Sequence, residues 1–464
     1  MKGGREFMTG RWICVVLFVS VAAAISLAQD TRKVTEPVIP PACRILKAKI
    51  GRGGLSIMAK DESRPDTVRI QAAMDHCAPG HAVVLKPSAR RQDAFLSGPL
   101  QLRKGVVLVV EGGAFLYASR NPRDYDYGDS PGVCGTITPN GHHCKALING
   151  EGAADSGVMG DGVIDGRGGE TILGKDVSWW NLADQARQGG SQNVPRLLSL
   201  ARCDNFALYR ITLMNSPNFH VGYDRGNGFT AWGVKIFAPE RARNTDGIDP
   251  GRSTNVTITH SYIHTGDDQV AIKGDAGAPT AHMSIVHNHF YSGHGMSIGS
   301  PTEGGVSSIL VSDLSIDGAD NGLRIKSNST RGGLVRDVLF EDVCIRDTAE
   351  PIVMDTSYSA HVSNAVNRPP TFQDIMLRNI AVQGAGQVLL EGTDPDHRLG
   401  IRFDNVQFAD PAAITVSAVY ADVKLGPGPF NLKVAGHDVK VTGTPGKAAK
   451  NTCAGKFVGF PVSH

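Results

Sequence analysis

The sequence predicts an all-β chain, a right-handed parallel β-helix with a short N-terminal capping helix, and three observations carry that expectation. First, an apolar-x-apolar step, often preceded by Asn or Asp, recurs at Phe206, Phe229, Val256, Met283, Ile309, Val338, Ile375 and Ile401, with spacings of 23, 27, 27, 26, 29, 37 and 26 residues. Alternation with period two is the mark of a strand. A repeat in the twenties is the mark of a solenoid, in which each coil buries its face only by stacking on its neighbours. Second, the same region lacks long helical periodicity, so a leucine-rich repeat or a βα barrel fits poorly. Third, 55 glycines and an aromatic content of 6% suit short strands joined by tight turns.

The elements follow in chain order. Lys2, Arg5 and Arg11 precede an almost wholly apolar run over residues 12–27, which ends on the small residues Ser26 and Ala28. This reads as a secretion signal cleaved after Ala28. The run is shorter than the ~20 residues a membrane span needs, and no later segment is long and apolar enough to span. Residues 29–464 are expected to form a single β-helix domain, because no Pro/Ser-rich linker divides them. Loss of residues 1–28 takes Lys+Arg from 47 to 44 and Asp+Glu from 45 to 44. A neutral mature chain gives no global argument for nucleic acid or membrane binding.

Cys14 leaves with the signal, and export permits disulfides among the seven cysteines that remain. Cys134–Cys144, flanking a short loop, is the first expected pair, and Cys43–Cys77, bracketing the N-terminal segment, is the second. Of Cys203, Cys344 and Cys453 at least one must stay free. A zinc site from Cys134, His142, His143 and Cys144 competes with the first pair, but its spacing matches no common zinc module. Asp66 is the expected N-cap of a helix in which Val68, Ile70, Ala72, Ala73 and Met74 could cover the open end of the first coil. Residues 150–169 read as turns between short strands. Residues 170–195, with Trp179 and Trp180 in a polar context, read as an insertion over the body.

Four motifs fall on successive repeats: Asn244-Thr-Asp246-Gly-Ile-Asp249, Gly266-Asp267-Asp268, Gly293-His294-Gly295 and Arg324-Ile-Lys326. Asp246 to Asp267 is 21 residues, Asp267 to His294 is 27, and His294 to Arg324 is 30. At about one coil each, these intervals stack three carboxylates, an imidazole and two cations along one groove. Glycoside hydrolysis needs one carboxyl to protonate the leaving oxygen and another to activate water or attack, and crowding raises the pKa of one of them. Adjacent Asp267 and Asp268 cannot both face a groove from a regular strand, so they are expected at a turn. Arg324 and Lys326, two apart, face the same way and make a carboxylate clamp.

These motifs resemble the polygalacturonase family of glycoside hydrolases, most closely the bacterial secreted endopolygalacturonases. The strings that carry the resemblance are Asn244-Thr-Asp-Gly-Ile-Asp-Pro250, Thr265-Gly-Asp-Asp268 with Val270-Ala-Ile-Lys273, Gly293-His-Gly-Met-Ser-Ile-Gly-Ser300 and Asn321-Gly-Leu-Arg-Ile-Lys-Ser327, with flanking similarity over about 43–408. The resemblance implies an inverting hydrolase of α-1,4-linked galacturonan. It casts Asp267 as general acid, Asp246 and Asp268 as the carboxylates that activate water, and His294 as a groove residue that tunes the acid or holds the sugar. Asn244, Arg324, Lys326 and Tyr358 become substrate contacts. It implies no cofactor or metal and a pectin or polygalacturonate partner. It also implies a secreted, endo-acting monomer, with exo action as the alternative. A rhamnogalacturonan hydrolase is the nearest rival within the same family; a calcium-dependent pectate lyase and a non-catalytic adhesin or tailspike, on the same solenoid, are the rivals of other classes.

Overall fold

The computed structural model describes residues 29–88, 92–141, 143–358, 367–447 and 453–461. The proposed signal and its cleavage site lie outside the described residues, as does His142. Among the described residues thirty strands join in one sheet wound into coils, and almost every strand pairs in parallel with the strand one coil away. The fold is a parallel β-helix.

The repeat visible in the sequence is one stack of this helix. Phe206 pairs with Phe229, Phe229 with Val256, Val256 with Met283, and the register continues through Ile309, Val338 and Ile375 to Ile401. All eight side chains are buried in the continuous core. A single coil would leave them half wet, and burial of each contributes about 1.5–3 kcal/mol. The polar residues between the apolar steps also have a backbone reason. His260, His287, Asp313, Asp342, Asn379 and Asn405 occupy one corner, coil after coil, each with φ between 50° and 60°. This left-handed region is one that Asn, Asp and His enter more readily than other side chains. The repeat of 37 residues places its extra length between Asp355 and Thr371, after one strand and before the next.

The helix α1 (Thr67–Asp75) covers the N-terminal end with Ile70 and Met74, whereas Val68 is 82% exposed. Asp66 stands at the N-cap position but makes no capping bond; its carboxylate instead takes Arg69 at 2.6 Å. The insertion forms helix α2 (Trp179–Gln185), and its two tryptophans are buried rather than in a polar setting. Trp179 packs with Tyr125, Ile172 and Val194, and the indole of Trp180 donates to the Ser216 carbonyl at 2.9 Å.

Cys43–Cys77 and Cys134–Cys144 are bonded as expected. The second bond removes the thiolates that the competing zinc site needed. Cys344 bonds Cys453, leaving Cys203 buried and free. The third disulfide belongs to a return of the chain: residues 453–460 run back over earlier coils, with Tyr291 donating to the Val458 carbonyl and Phe460 against Phe237 and His264. At the other end Asp30 and Arg32 reach Ser284 and the Phe229 carbonyl. Among the described residues no helix is long and apolar enough to cross a membrane.

Candidate active site

Five rungs of another stack carry the motifs: β1 (Ile248–Gly251), β2 (Val270–Ile272), β3 (Met296–Gly299), β4 (Asn321–Lys326) and β5 (Glu350–Asp355). Ile248, Val270, Met296, Leu323 and Ile352 pair from rung to rung and point into the core. Alternation therefore sends Asp249, Ser297 and Arg324 outward. Lys273 and Lys326 follow two positions further along. Asp246, Asp267, Asp268 and His294 lie in the bends just before β1, β2 and β3. The bend before β2 frees adjacent Asp267 and Asp268 from strand alternation. Glycine is required there: a Cβ on Gly266 would lie 2.3 Å from the Ala242 carbonyl oxygen, and one on Gly293 would lie 2.3 Å from that of Asp267.

Asp268 is the anchor of the cluster. Arg324 Nη2 donates to its Oδ1 at 2.6 Å, Lys326 Nζ to its Oδ2 at 2.8 Å, and Ser297 Oγ to Oδ1 at 2.8 Å. Asp268, Arg324 and Lys326 are all buried. Burial would push the Asp268 carboxyl up, but the Lys326 and Arg324 charges hold it far below the carboxylate range. Arg324 also donates to Ser297 and Asn321. The clamp expected for a sugar carboxylate thus closes on the protein's own Asp268, and Lys326 lines the groove with protons to spare.

Asp267 is the more open neighbour, with 16% of its side chain exposed against 1% for Asp268 and 4% for Asp246. Its Oδ1 faces His294 Nδ1 at 3.2 Å and accepts from the Asp268 amide at 2.9 Å. Its Oδ2 accepts from the Asn244 amide at 3.3 Å. Asn244 sits at φ 56° and its side-chain oxygen accepts from Gln192 at 3.0 Å, so it ties the insertion to the site. Burial would push Asp267 up and His294 down; the bond between them outweighs burial in both cases, holding Asp267 below and His294 above their ordinary values.

That pair gives a pH signature. The raised His294 stabilises the fold fully below its unfolded pKa near 6.5 and loses this as pH rises through its folded value. The depressed Asp267 stabilises above about pH 4 and loses this as pH falls through its own folded value. His294→Gln is therefore expected to lower the urea midpoint most between about pH 4 and 6.5, with the difference from wild type shrinking on either side.

Asp246 is set by its backbone. The buried ring of His220 faces the Thr245 and Asp246 carbonyls at 3.2 and 3.1 Å, and burial pushes its pKa down to about 4. A neutral imidazole thus props the bend. The Asp246 carboxylate is buried, its Oδ1 has no hydrogen-bond partner, and its Oδ2 lies 3.6 Å from Lys273 Nζ. Burial, then the Asp249 charge, push it well above the carboxylate range. Crowding therefore raises Asp246 and not Asp267. Tyr358, half-buried in the long repeat, places its ring 5.1 Å from Lys326 Nζ.

Among the described residues one group of His, Cys, Asp or Glu is close enough to share a metal ion: Asp267, Asp268 and His294. Two cations already neutralise Asp268, and a hard divalent ion favours sites built of free oxygen ligands. The donor set suits proton chemistry better.

Residues 135–449 match the family described as Glycosyl hydrolases family 28. The chain belongs to that family. It is 41% identical over 418 residues to an endo-polygalacturonase of Pectobacterium carotovorum subsp. carotovorum, covering 89% of this chain and 99% of that protein. It is 38% identical to a polygalacturonase of Ralstonia nicotianae, covering 94% of each. Among solved structures, a polygalacturonase from Erwinia carotovora ssp. carotovora matches with a TM-score of 0.72 at 38% identity, over 91% of this chain and all of that one.

The groove of this family 28 hydrolase is about 670 Å³ and holds Asn244, Asp246, Asp267, Asp268, Lys326 and Tyr358 together in its wall. Asp249, Lys273, Arg196, Arg225, Arg252 and Arg331 line it too, and none of them was singled out from the sequence for a role. Asp249 and Lys273 could have been found by parity, since each faces outward from a strand whose inward neighbours are apolar. Nothing in the motif spacing reveals His220 or Gln192.

Proposed function

We propose that the chain is a secreted, endo-acting polygalacturonase that hydrolyses α-1,4 bonds of galacturonan with inversion. The observation that carries this reading is the division of labour among three clustered carboxyls. Asp267, the most open, is placed to protonate the leaving oxygen. Its bond to His294 favours the ionised form, and the negative charge of an incoming uronate raises it again toward the acid form. Asp268 is saturated by Ser297, Arg324 and Lys326 and fixes the electrostatics of the site. Asp246 keeps an unpartnered oxygen and is the better acceptor for a proton from water. Lys326, with Tyr358 beside it, grips a uronate; Arg324 orients Asp268, and Asn244 orients Asp267.

The groove lining carries as many aspartates as cations, so a polyanion is selected by the placement of Lys326, Arg196, Arg225, Arg252 and Arg331 and not by net charge. Three disulfides among the described residues support export to an oxidising compartment. Endo action is supported by the 41% identical relative named for it. The purified protein is expected to release reducing ends from polygalacturonate in EDTA, with rapid loss of viscosity and no gain in ultraviolet absorbance. A requirement for calcium with rising absorbance would mean a lyase; slow viscosity loss with steady monomer release would mean exo action.

A further inference from the structure

Asp249 projects outward from β1 three residues after Asp246. It is buried, and neither of its carboxylate oxygens has a hydrogen-bond partner. A carboxylate in that position is costly unless a cation answers it. The cation is Lys273, the outward residue at the end of the next rung. Its Nζ lies 3.3 Å from Asp249 Oδ2 and 3.6 Å from Asp246 Oδ2. One ammonium thus faces two buried carboxylates. The other charged groups that act on the pair are Asp267 and Asp268 from the following coil and Arg196 from an earlier one. Asp268 is bonded by Arg324 and Lys326, and the carboxylates that act most strongly on Lys273 are Asp249 and then Asp246.

We propose that Asp249 and Lys273 are positioning residues for the hydrolysis: Lys273 draws Asp246 toward the ionised form that accepts water's proton, and Asp249 competes for the same ammonium, so that the pair sets the pH at which Asp246 becomes a base. The inference rests on the reading of the chain as a galacturonan hydrolase. In that reaction the water oxygen bonds to the anomeric carbon as its proton passes to Asp246. The glycosidic bond breaks and the leaving oxygen takes the proton of Asp267. Asp246 then returns its proton to solvent and Asp267 regains one. Of the charges acting on Asp246, Asp249 is the one that raises it most, after burial itself. Asp249 is in turn pushed up to about 6 by burial, against the pull of Lys273. Two carboxylates sharing one cation titrate as a unit.

The test is the acidic limb of kcat/KM against pH on polygalacturonate. Asp249→Asn removes the competitor and is expected to move the limb down by about one pH unit; Lys273→Met removes the shared cation and is expected to move it up by at least about one unit. Lys273→Arg is expected to restore the limb, and KM is expected to stay within about threefold throughout, since neither residue grips the sugar. A purely structural role would lower kcat at every pH and move the limb in neither variant. That result, or displacement of both limbs in one direction, overturns the proposal. Wild type that releases no reducing ends refutes the activity reading alone. A ¹³C NMR titration of aspartate-labelled protein follows the same carboxyls without substrate, and an Asp246 that titrates identically in wild type and Asp249→Asn overturns the pairing.

Discussion

Asp267→Asn is expected to lower kcat on polygalacturonate by roughly 100- to 10,000-fold, the range that a positioned general acid contributes, while leaving the fold intact. The amide is nearly isosteric, and its single oxygen can keep the bond from the Asp268 backbone amide; the Asn244 amide, which the second carboxylate oxygen accepts from at a longer 3.3 Å, loses its acceptor. It also loses the negative charge that faces His294, whose side chain is 34% exposed. A pair open to solvent to that degree is worth about 1 kcal/mol or less. Reducing-end assays at matched protein concentration and a thermal melt separate the two effects. Retention of more than a few per cent of activity would remove Asp267 from the acid role.

The neighbouring substitution is expected to behave in the opposite way. Asp268→Asn leaves Arg324 and Lys326 buried with no charge to answer them, and breaking a buried ion pair from one side costs about 3–5 kcal/mol. Denaturant unfolding should report that loss at pH 5 to 7, where both cations and the wild-type carboxylate are ionised. Adding Lys326→Met to Asp268→Asn should recover part of it, because one orphaned charge is then removed. The double-mutant cycle isolates the coupling. A stability change below about 1 kcal/mol in Asp268→Asn would show that the clamp is not carried by charge. Two adjacent aspartates, identical in composition and in motif, are thus separated by their partners into a chemical group and an anchor.

This separation marks the limit of what the sequence discloses. The stack from Phe206 to Ile401 was legible because a coil repeats its apolar pattern at its own length, and the predicted spacings match the observed register pair by pair. The gathering of Asp246, Asp267, Asp268, His294, Arg324 and Lys326 followed from the same periodicity. The direction of each side chain within the groove did not. Arg324 and Lys326 face the same way, as alternation requires, but what they meet is Asp268, 56 and 58 residues earlier, and spacing alone does not choose between that carboxylate and a sugar's. The crowded acids were foreseen, while the carboxyl that is raised is Asp246, because burial and the Asp249 charge outweigh the pull of Lys273. The partner of Cys344 was hidden for another reason: it lies in a segment that leaves the repeat and returns, 109 residues later.

A stack of coils held only by nearest neighbours can fray from its ends, since each coil's loss exposes just one further face. Here the two ends of the described chain are folded back over the middle. Asp30, Arg32 and Glu36 touch Ser284, Thr257, Phe229 and Tyr209, and residues 453–460 run from Cys344 past Asp313 and Tyr291 to Phe237. The first tie crosses the coils that carry Asp246 and Asp267, and the second crosses both of these and the coil that carries His294. Partial melting of that region must release contacts on two sides at once, so the coils that hold the carboxyls in register behave as a splinted unit, and the ends of the stack can loosen without opening the groove.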